Sequence, residues 1–531
     1  HRMIAEAVDY ANAIEDYELS RQIINDNCEW MRAEKFGGSS YFNRLLANIP
    51  EEEIFKDTRI LFSKAYTSIL AGDFKQALYY YHSAEALIEK VGITPDTLRD
   101  RLTIGTGLLF RTEFKRERGG GWLKELLELV AGEKAASSNM DPRVHVLCCL
   151  TLQSLAYGDF NEARNYALAA EPDLQHVIGI YCELNFALIE LWTNAPDKAR
   201  EHLERASEAA IRIGGAQSNL KFMSDMFLTV IDYWESDLDA DPDYDLEPAV
   251  LRTLDGDGGY DVFSIGFDAV LHDALCQKNF DKAKSYIEKL EEATDRLAIE
   301  RLVQFAQILR LDCAAAQHNL AEAAQLFDAV QSWLDVDEMA LENLGWFLRT
   351  TAAYSCARYL AAVGHEEEAL IRVDDGLAEV DQLDVVLMRV RGNVLKASLL
   401  EQAQQRDGAL EILTDAIEDA ARIGCSRPFT RDVTPDLVRE AANWIVSGNQ
   451  SVVVKDFARK LSASYSKELF TVREKEVLQG LADGQSNKEI ARDLDLTDNT
   501  VKFHVRNIYR KLEVTKRVNG VAKARNLGLI S

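Results

Sequence analysis

Proline is scarce in this sequence, and so is the alternation of apolar and polar residues that marks β-strands. Only nine of the 531 residues are proline. Because proline inside a helix removes a hydrogen bond and clashes with the preceding turn, its scarcity permits one helix after another. Apolar residues instead recur at the three-to-four-residue spacing of amphipathic helices. The sequence therefore predicts an all-α protein, and its length predicts several structural units.

The eight cysteines lack the spacing of a metal site or a disulfide framework. No C-x-x-C pair occurs and no pair of histidines accompanies them, so we interpret them as buried thiols in a reducing compartment. A signal peptide and a long apolar run are also missing, which predicts a cytoplasmic protein that does not enter a membrane. The cysteines are Cys28, Cys148, Cys149, Cys182, Cys276, Cys313, Cys356 and Cys425.

Motifs for catalysis and for phosphate or calcium binding are missing as well. The dipeptide Gly-Lys occurs nowhere, so the chain contains no Walker phosphate loop of its own. The acidic stretch 236–259 is not a calcium loop, because Pro242 and Pro248 stand where such a loop needs Gly and Glu. We interpret it as a solvated connector. The sequence thus predicts no enzyme activity, no metal site and no cofactor in this chain.

Negative charge is abundant but unevenly distributed. The net charge is −27, yet residues 467–531 contain 13 Lys/Arg and 9 Asp/Glu, or +4, so the other 466 residues carry −31. An acidic region of that size is repelled by nucleic-acid phosphates. Any contact with DNA is therefore expected at the C-terminal end alone.

A recurring turn phrase divides the acidic region into repeats. Clear copies are Gly72–Ala77, Gly158–Ala163, Lys278–Ala283 and Gly364–Ala369, and weaker copies end at Ser20, Ala199, Ala323 and Ala409. The shorter spacings lie near 40 residues, and two spacings near 85 span a degenerate copy. A period near 40 with small residues at helix crossings is typical of tetratricopeptide repeats. We therefore predict a tetratricopeptide-like α-solenoid over residues 56–463.

The inner wall of such a solenoid could serve as a scaffold or as a sensor for a small molecule or partner protein. Aromatic residues on solenoid helices pack more often than they bind ligands, so we assign no single residue to a ligand. Candidate groups are the run Tyr79-Tyr80-Tyr81-His82 and the cluster Trp333, Trp346, Phe347, Tyr354 and Tyr359.

Two marked helix starts separated by a short helix predict a helix-turn-helix within residues 464–531. Thr471 with Glu474, and Ser486 with Glu489, each match the capping-box pattern. Only about four residues, 495–498, separate the second helix from the third, as in helix-turn-helix motifs. A fourth amphipathic segment covers 515–527, and the Ser-rich stretch 462–467 is predicted to be a flexible linker.

The third helix carries the DNA-binding chemistry. Val501, Val505, Ile508 and Leu512 share one apolar face. On the other side, Lys502 and Arg506 can donate to guanine O6 and N7, and Phe503 can contact a thymine methyl group. Lys488, Thr500, Arg510 and Lys511 are predicted to contact phosphates, which position the protein without selecting sequence.

These segments closely resemble the LuxR-type DNA-binding domain. The resemblance rests on T-V-R-E-K-E-V-L, G-Q-S-N-K-E-I-A, L-T-D-N-T-V-K-F-H-V-R-N-I-Y-R-K-L and A-R-N-L-G-L-I. It implies a small four-helix domain that binds double-stranded DNA, usually as a dimer. It also implies base contacts for Lys502, Phe503 and Arg506, and backbone contacts for positions including Asn487. Glu513 and Asn519-Gly520 depart from the family pattern, the latter inside a usually Ala-rich last helix.

With its solenoid, the chain is similar to the C-terminal half of the MalT-like class of large ATP-binding LuxR regulators. The resemblance rests on R-P-F at Arg427, near the usual end of the solenoid, and on residues 1–25, which are similar to the helices that follow the nucleotide-binding and winged-helix modules in that class. Residues 1–55 are therefore predicted to be N-terminal helices that follow such an upstream module. The resemblance implies a transcription regulator, expected to be an activator. It also implies an inducer bound by the solenoid, homo-oligomers, RNA polymerase as a partner, and ATP use by a longer parent with an NTPase domain. The alternative is a protein-interaction scaffold tethered to DNA.

Overall fold

The computed structural model describes most of the chain, in segments. They are residues 2–27, 45–46, 48–70, 73–94, 142–170, 173–175, 177–236, 245–255, 259–297, 299–335, 344–468, 472–512, 514–526 and 529–530, with position 238 and isolated positions between 97 and 128.

These residues form helices joined by short turns, with no strand in the ranges just given, so the all-α prediction is confirmed. Two further short 3₁₀ turns are Thr253–Asp255 and Arg427–Thr430. The α-helices are α1 (Arg2–Ala13), α2 (Tyr17–Asn27), α3 (Glu51–Ile54), α4 (Thr58–Leu70), α5 (Phe74–Val91), α6 (Pro142–Tyr157), α7 (Phe160–Ala169), α8 (Val177–Trp192), α9 (Pro196–Gly214), α10 (Asn219–Glu235), α11 (Leu246–Arg252), α12 (Tyr260–Cys276), α13 (Phe280–Leu297), α14 (Glu300–Ala316), α15 (Leu320–Leu334), α16 (Trp346–Ala362), α17 (Glu366–Leu383), α18 (Val386–Gln402), α19 (Arg406–Ile423), α20 (Pro435–Ser447), α21 (Val452–Glu468), α22 (Val472–Ala482), α23 (Asn487–Asp493), α24 (Asp498–Lys511) and α25 (Arg517–Asn526).

The recurring turn phrase has one conformation in its described copies. Gly158 and Gly364 adopt a left-handed backbone, with φ of 81° and 85°, two residues before a helix begins. Lys278 and His318 occupy the same place with φ of 53° and 55°. The aligned small residue in the following helix is fully buried in every copy: Ser20, Ala77, Ala163, Ala199, Ala283, Ala323, Ala369 and Ala409. The sequence period thus marks sites where neighbouring helices approach closely, while the superhelical stacking of the pairs stays a prediction.

The chain divides into two compact units. One comprises residues 1–230 and 245–359, and the other comprises 231–244 and 360–531. The two predicted domain boundaries, at residues 55 and 463, each lie inside one of these units, so the division into three domains stays a prediction. Within the described residues, no helix combines the length and apolarity needed to cross a bilayer.

The predicted linker at 462–467 is wrong, because these residues lie within α21. Leu461 and Tyr465 of this helix are buried in the apolar core of the second unit, together with Ala458. The Tyr465 hydroxyl also donates a hydrogen bond to the Phe429 carbonyl. The serine content is misleading because Leu461 and Tyr465, one helical turn apart, face the core, and Ser462 and Ser464 are buried as well.

Candidate nucleic-acid interface

The last four helices, α22–α25, enclose an apolar core of their own. The predicted apolar face of α24 is confirmed, with Val501 and Ile508 fully buried, Leu512 2% exposed and Val505 partly buried against the same core. Burial of one face of α24 leaves the opposite face in solvent. The other buried members of this core are Val477, Leu478, Leu481, Ile490, Ala491 and Ala524.

The start of α23 is fixed by the predicted capping box. The Glu489 amide donates to Ser486 Oγ at 3.3 Å, and the Ser486 amide donates to Glu489 Oε2 at 2.7 Å. The hydrogen bonds from the backbone and side chain of Ser486 lower the pKa of Glu489. The first predicted capping box includes Thr471, which lies outside the described residues, and its partner Glu474 has a different role described below.

The turn between α23 and α24 is tight and well defined. Asp495 takes a left-handed backbone with φ of 54°, and the Leu496 amide donates to the Ala491 carbonyl at 2.7 Å. Thr497 then caps α24, because its hydroxyl accepts from the Thr500 amide at 3.1 Å. The Thr500 hydroxyl lies 2.7 Å from that of Thr497, which orients it at the N-terminus of α24. These contacts fix where α24 begins after α23, and the second helix of a helix-turn-helix motif is the one that enters the major groove.

All three predicted base-contacting residues lie on the exposed side of α24. Phe503 is 61% exposed, an unusual state for a phenylalanine, and Arg506 is also exposed. The Lys502 side chain is 59% exposed, and its Nζ lies 2.7 Å from Asp498 Oδ2 one turn earlier. A pair this open to solvent contributes little to stability, so Lys502 can exchange Asp498 for a base at low cost. Their contact with bases stays a prediction.

The predicted phosphate-contacting residues have different environments. Lys488 is exposed and Asn487 half-buried at the start of α23, where the helix dipole also favours an anion. Lys511, in contrast, pairs with Glu474 of α22 at 2.5 Å, and the carboxylate side chain is only 4% exposed. The side chain of Arg510 lies outside the described residues. Lys511 is therefore already paired with a carboxylate inside the domain. The sequence analysis did not predict this pair, although Glu474 lies beside the apolar stripe of α22.

The glycine in the last helix has a packing reason. A Cβ atom on Gly520 would lie 3.3 Å from Tyr509 Cε1 and 3.5 Å from Val514 Cγ2, so its absence lets α25 approach α24 closely. Arg517 fixes the start of α25 by donating to the Leu481 carbonyl at 2.7 Å. Val518 on the same helix is 77% exposed.

The Tyr79-Tyr80-Tyr81 run divides between core, cleft and surface. Tyr81 is fully buried against Phe62, with ring centroids 5.4 Å apart, whereas Tyr79 is 51% exposed. Tyr80 lines a cleft of about 500 Å³ between α3, α4 and α5. The Lys64 ammonium lies 5.0 Å from the centre of the Tyr80 ring. The remaining lining residues are Leu46, Ile49, Glu51, Ile54, Thr67, Ser68, Asp73 and Gln76.

The second aromatic group is mainly core. Trp346 is 2% exposed, packs edge-on against Trp192 at 5.0 Å and donates from Nε1 to the Leu155 carbonyl at 2.9 Å. Phe347 and Tyr354 are buried as well. Trp346, Phe347 and Tyr354 therefore stabilise the first unit as core residues, whereas Trp333 and Tyr359 are only partly buried.

Comparison with known proteins agrees with the geometry of the C-terminal helices. Residues 468–524 match the family model described as bacterial regulatory proteins, luxR family. The nitrate/nitrite response regulator protein NarP of Escherichia coli is 31% identical over 180 residues, which covers 30% of this chain and 84% of NarP.

Larger regulators match over a smaller share of their length. The transcriptional regulator MalT of Vibrio campbellii is 28% identical over 234 residues, or 38% of this chain and 25% of MalT. The regulator AlkS of Alcanivorax borkumensis is 31% identical over 103 residues, or 19% of this chain and 12% of AlkS. The matched part of the chain thus spans a quarter or less of these two relatives. Taken together, the family match and the coverage of NarP show that the chain belongs to the LuxR family of bacterial regulatory proteins.

Proposed function

We propose that this DNA-binding transcription regulator recognises a specific operator through α24. We further propose that it activates transcription when its helical-repeat region, the predicted solenoid of residues 56–463, binds a small-molecule inducer. The observation that carries the proposal is the exposed face of α24. Lys502, Phe503 and Arg506 face solvent on a helix that follows a short, capped turn and is anchored by its opposite face. An exposed aromatic ring between two cations suits a groove edge lined by acceptors and methyl groups.

Operator recognition divides between these side chains and the residues at the start of α23. Asn487 and Lys488 at the start of α23, together with Thr500 at the N-terminus of α24, contact phosphates and set the register of the domain on the DNA. Lys502 and Arg506 then discriminate bases. The active form is a homo-dimer or oligomer on paired half-sites and recruits RNA polymerase, and a longer parent would add an ATP-binding NTPase domain. These partners are what the resemblance to the MalT-like class implies, and the match to MalT of Vibrio campbellii, which covers 25% of that protein, is compatible with a longer parent.

The cleft beside Tyr80 supports small-molecule binding. It combines a volume of about 500 Å³ with an aromatic ring, an ammonium, carboxylates and hydroxyls in one wall. Ligand pockets have volumes of about 300–1,000 Å³ and place a few polar groups among apolar ones. This mixture suits a small polar molecule better than a protein segment.

Selection of genomic DNA fragments by the purified chain tests operator recognition. We expect enrichment of a few sites with two half-sites about one helical turn apart. Arg506→Ala and Lys502→Ala should each lose about 1–3 kcal/mol of discrimination against single-base changes. Arg459→Ala is the matched control, since Arg459 is exposed on α21, outside the four-helix domain. Unchanged selectivity in both α24 variants would refute the assignment.

Thermal melting with a metabolite library separates the inducer proposal from the scaffold alternative. An inducer present at 100 times its Kd should stabilise the chain by about 2.7 kcal/mol. Tyr80→Phe removes a hydroxyl from the cleft, while Tyr79→Phe removes one from an exposed ring that is not part of its lining. If the metabolite no longer stabilises the Tyr80→Phe variant but still stabilises Tyr79→Phe, the inducer binds in the cleft. Stabilisation by protein partners and by no metabolite would favour the scaffold.

A further inference from the structure

Two cysteines that are far apart in sequence meet in the core of the first unit. Cys148 lies on α6 and Cys182 on α8, 34 residues later, and their Sγ atoms are 2.9 Å apart. Each residue is only 1% exposed. They share a small apolar cluster with Leu147, Ala170 and Ile178.

The backbone around the two thiols keeps them together. The side-chain amide of Asn185 on α8 donates to the Cys148 carbonyl at 3.3 Å, which ties the helices at the level of the sulfurs. At the start of α8, a Cβ on Gly179 would lie 2.2 Å from the Asp173 carbonyl oxygen, so this turn of the helix presses directly on the preceding backbone. A disulfide bond is about 2.04 Å long, so bond formation requires the sulfurs to move about 0.9 Å closer.

We propose that Cys148 and Cys182 are a reversible oxidation site, in which a hydroperoxide converts the two thiols to a disulfide that joins α6 to α8. Neither the helix-turn-helix nor the inducer cleft uses these residues, so the proposal is independent of the proposed function. Cys276 instead contacts His272 within α12, and Cys313 accepts a hydrogen bond from Gln317, the residue that follows α14.

The reaction consumes one hydroperoxide per pair. One thiol loses its proton, and its sulfur attacks a peroxide oxygen, which gives a sulfenic acid and releases an alcohol, or water from hydrogen peroxide. The second sulfur, after losing its proton, attacks the sulfenic sulfur and expels hydroxide, which leaves as water. Two thiols are oxidised by two electrons in total and the peroxide is reduced by two. Reduction by a dithiol returns the starting state.

Burial should make oxidation of these two thiols slow. The hydrogen bond to Cys182 and burial raise the pKa of the Cys148 thiol well above its ordinary value. Since the thiolate is the nucleophile, oxidation should be slow at neutral pH and accelerate as pH rises. The low exposure adds a second requirement, a local opening of the cluster that admits the peroxide. Once formed, the disulfide closes a loop of 34 residues and opposes that opening.

Peptide mapping of the full chain tests the site. The reduced protein is treated with hydrogen peroxide, alkylated and digested with trypsin without reductant. We expect a linked pair of peptides, 144–164 with 165–198, that disappears after reduction and forms faster at pH 9 than at pH 7. The melting midpoint of the first unit should rise by roughly 3–8 °C.

Cysteine variants identify which sulfur forms the bond. Cys148→Ser should abolish the linked pair, and Cys182→Ser should do the same. Cys149→Ser is the matched control, because Cys149 is equally buried, adjacent, and on the same tryptic peptide; it should retain the link. Cys148→Ala replaces Cys148→Ser if the hydroxyl prevents folding. A link that persists without Cys148, or peroxide treatment that yields only sulfinic acids or links between chains, would overturn the proposal.

Discussion

Replacement of Lys511 distinguishes a structural from a DNA-binding role for this cation. Lys511 was predicted to contact phosphate, yet its ammonium lies 2.5 Å from Glu474 Oε2 across the interface of α22 and α24. Lys511→Met keeps the aliphatic stem and removes the charge, so the buried Glu474 carboxylate loses the ammonium with which it pairs. We expect this variant to destabilise the four-helix domain and to leave the number of phosphate contacts unchanged.

The magnitude follows from the exposure of the two side chains. Removing one partner of a fully buried ion pair costs about 3–5 kcal/mol. Glu474 is 4% exposed but Lys511 is 25% exposed, so water compensates part of the loss, and about 2–3 kcal/mol is a better expectation. That loss raises local opening of α22 and α24 roughly 30- to 140-fold. Glu474→Gln added to Lys511→Met should recover much of the loss, because it removes the negative charge from the buried position.

Two measurements on the same variants decide between the roles. Amide hydrogen exchange reports opening of α22 and α24, and the slope of log affinity against log salt counts phosphate contacts. Lys511→Met should accelerate exchange and keep the slope. Lys488→Met is the matched comparison, since Lys488 is exposed; it should flatten the slope by about 0.9 and leave exchange unchanged. The reasoning is refuted if Lys511→Met flattens the slope while exchange stays as in the parent.

Three further changes test local features of the structure. Ser486→Ala should destabilise α23 by about 1 kcal/mol and Ser486→Gly by only a few tenths, as amide exchange in α23 would report; equal losses would contradict the cap. Gly179→Ala should lower the melting midpoint, because its Cβ would collide with the Asp173 carbonyl at 2.2 Å, at a cost of about 1–3 kcal/mol; an unchanged midpoint would show that the contact relaxes freely. Burial alone would raise the pKa of Glu183, but hydrogen bonds from His202 and Arg205 outweigh it and lower that pKa. The stability that Glu183 contributes is therefore complete above its ordinary pKa and is lost as pH falls through the lowered value, so Glu183→Gln should flatten the acid dependence of exchange in α8. The same acid dependence in this variant would assign the effect to another group.

Features set by local sequence could be predicted, because the physical causes lie within a few residues. The aligned small residues, such as Ala163 and Ala283, are fully buried because a larger side chain at a close helix crossing would separate the helices. The capping box at Ser486 needs only two residues three positions apart. The apolar face of α24 follows from its period alone.

Features set by pairing across the chain could not be predicted. Lys511 and Glu474 are 37 residues apart, and no local pattern indicates that a cation on α24 meets a carboxylate on α22. Tyr79, Tyr80 and Tyr81 have the same chemistry, yet successive helical residues point about 100° apart, so one is exposed, one lines a cleft and one is core. Serine content suggested a linker before α22, whereas burial of Tyr465 decides that the segment is helical.

Charge limits how strongly a single copy of the chain can hold DNA. Among the predicted phosphate-contacting residues, Lys511 is engaged by Glu474, which leaves Lys488 and Arg510 as the cations. Two such contacts give a salt slope of only about −2, far from the 6–10 contacts of tightly held regulators. The acidic remainder, with a net charge of −31, adds repulsion rather than affinity. In the proposed dimer, two copies on paired half-sites would double the phosphate contacts, which strengthen binding to any DNA, and the base contacts, which strengthen binding to the operator alone. Control of assembly by the helical-repeat region would therefore be sufficient to control DNA binding, without any change in α24 itself.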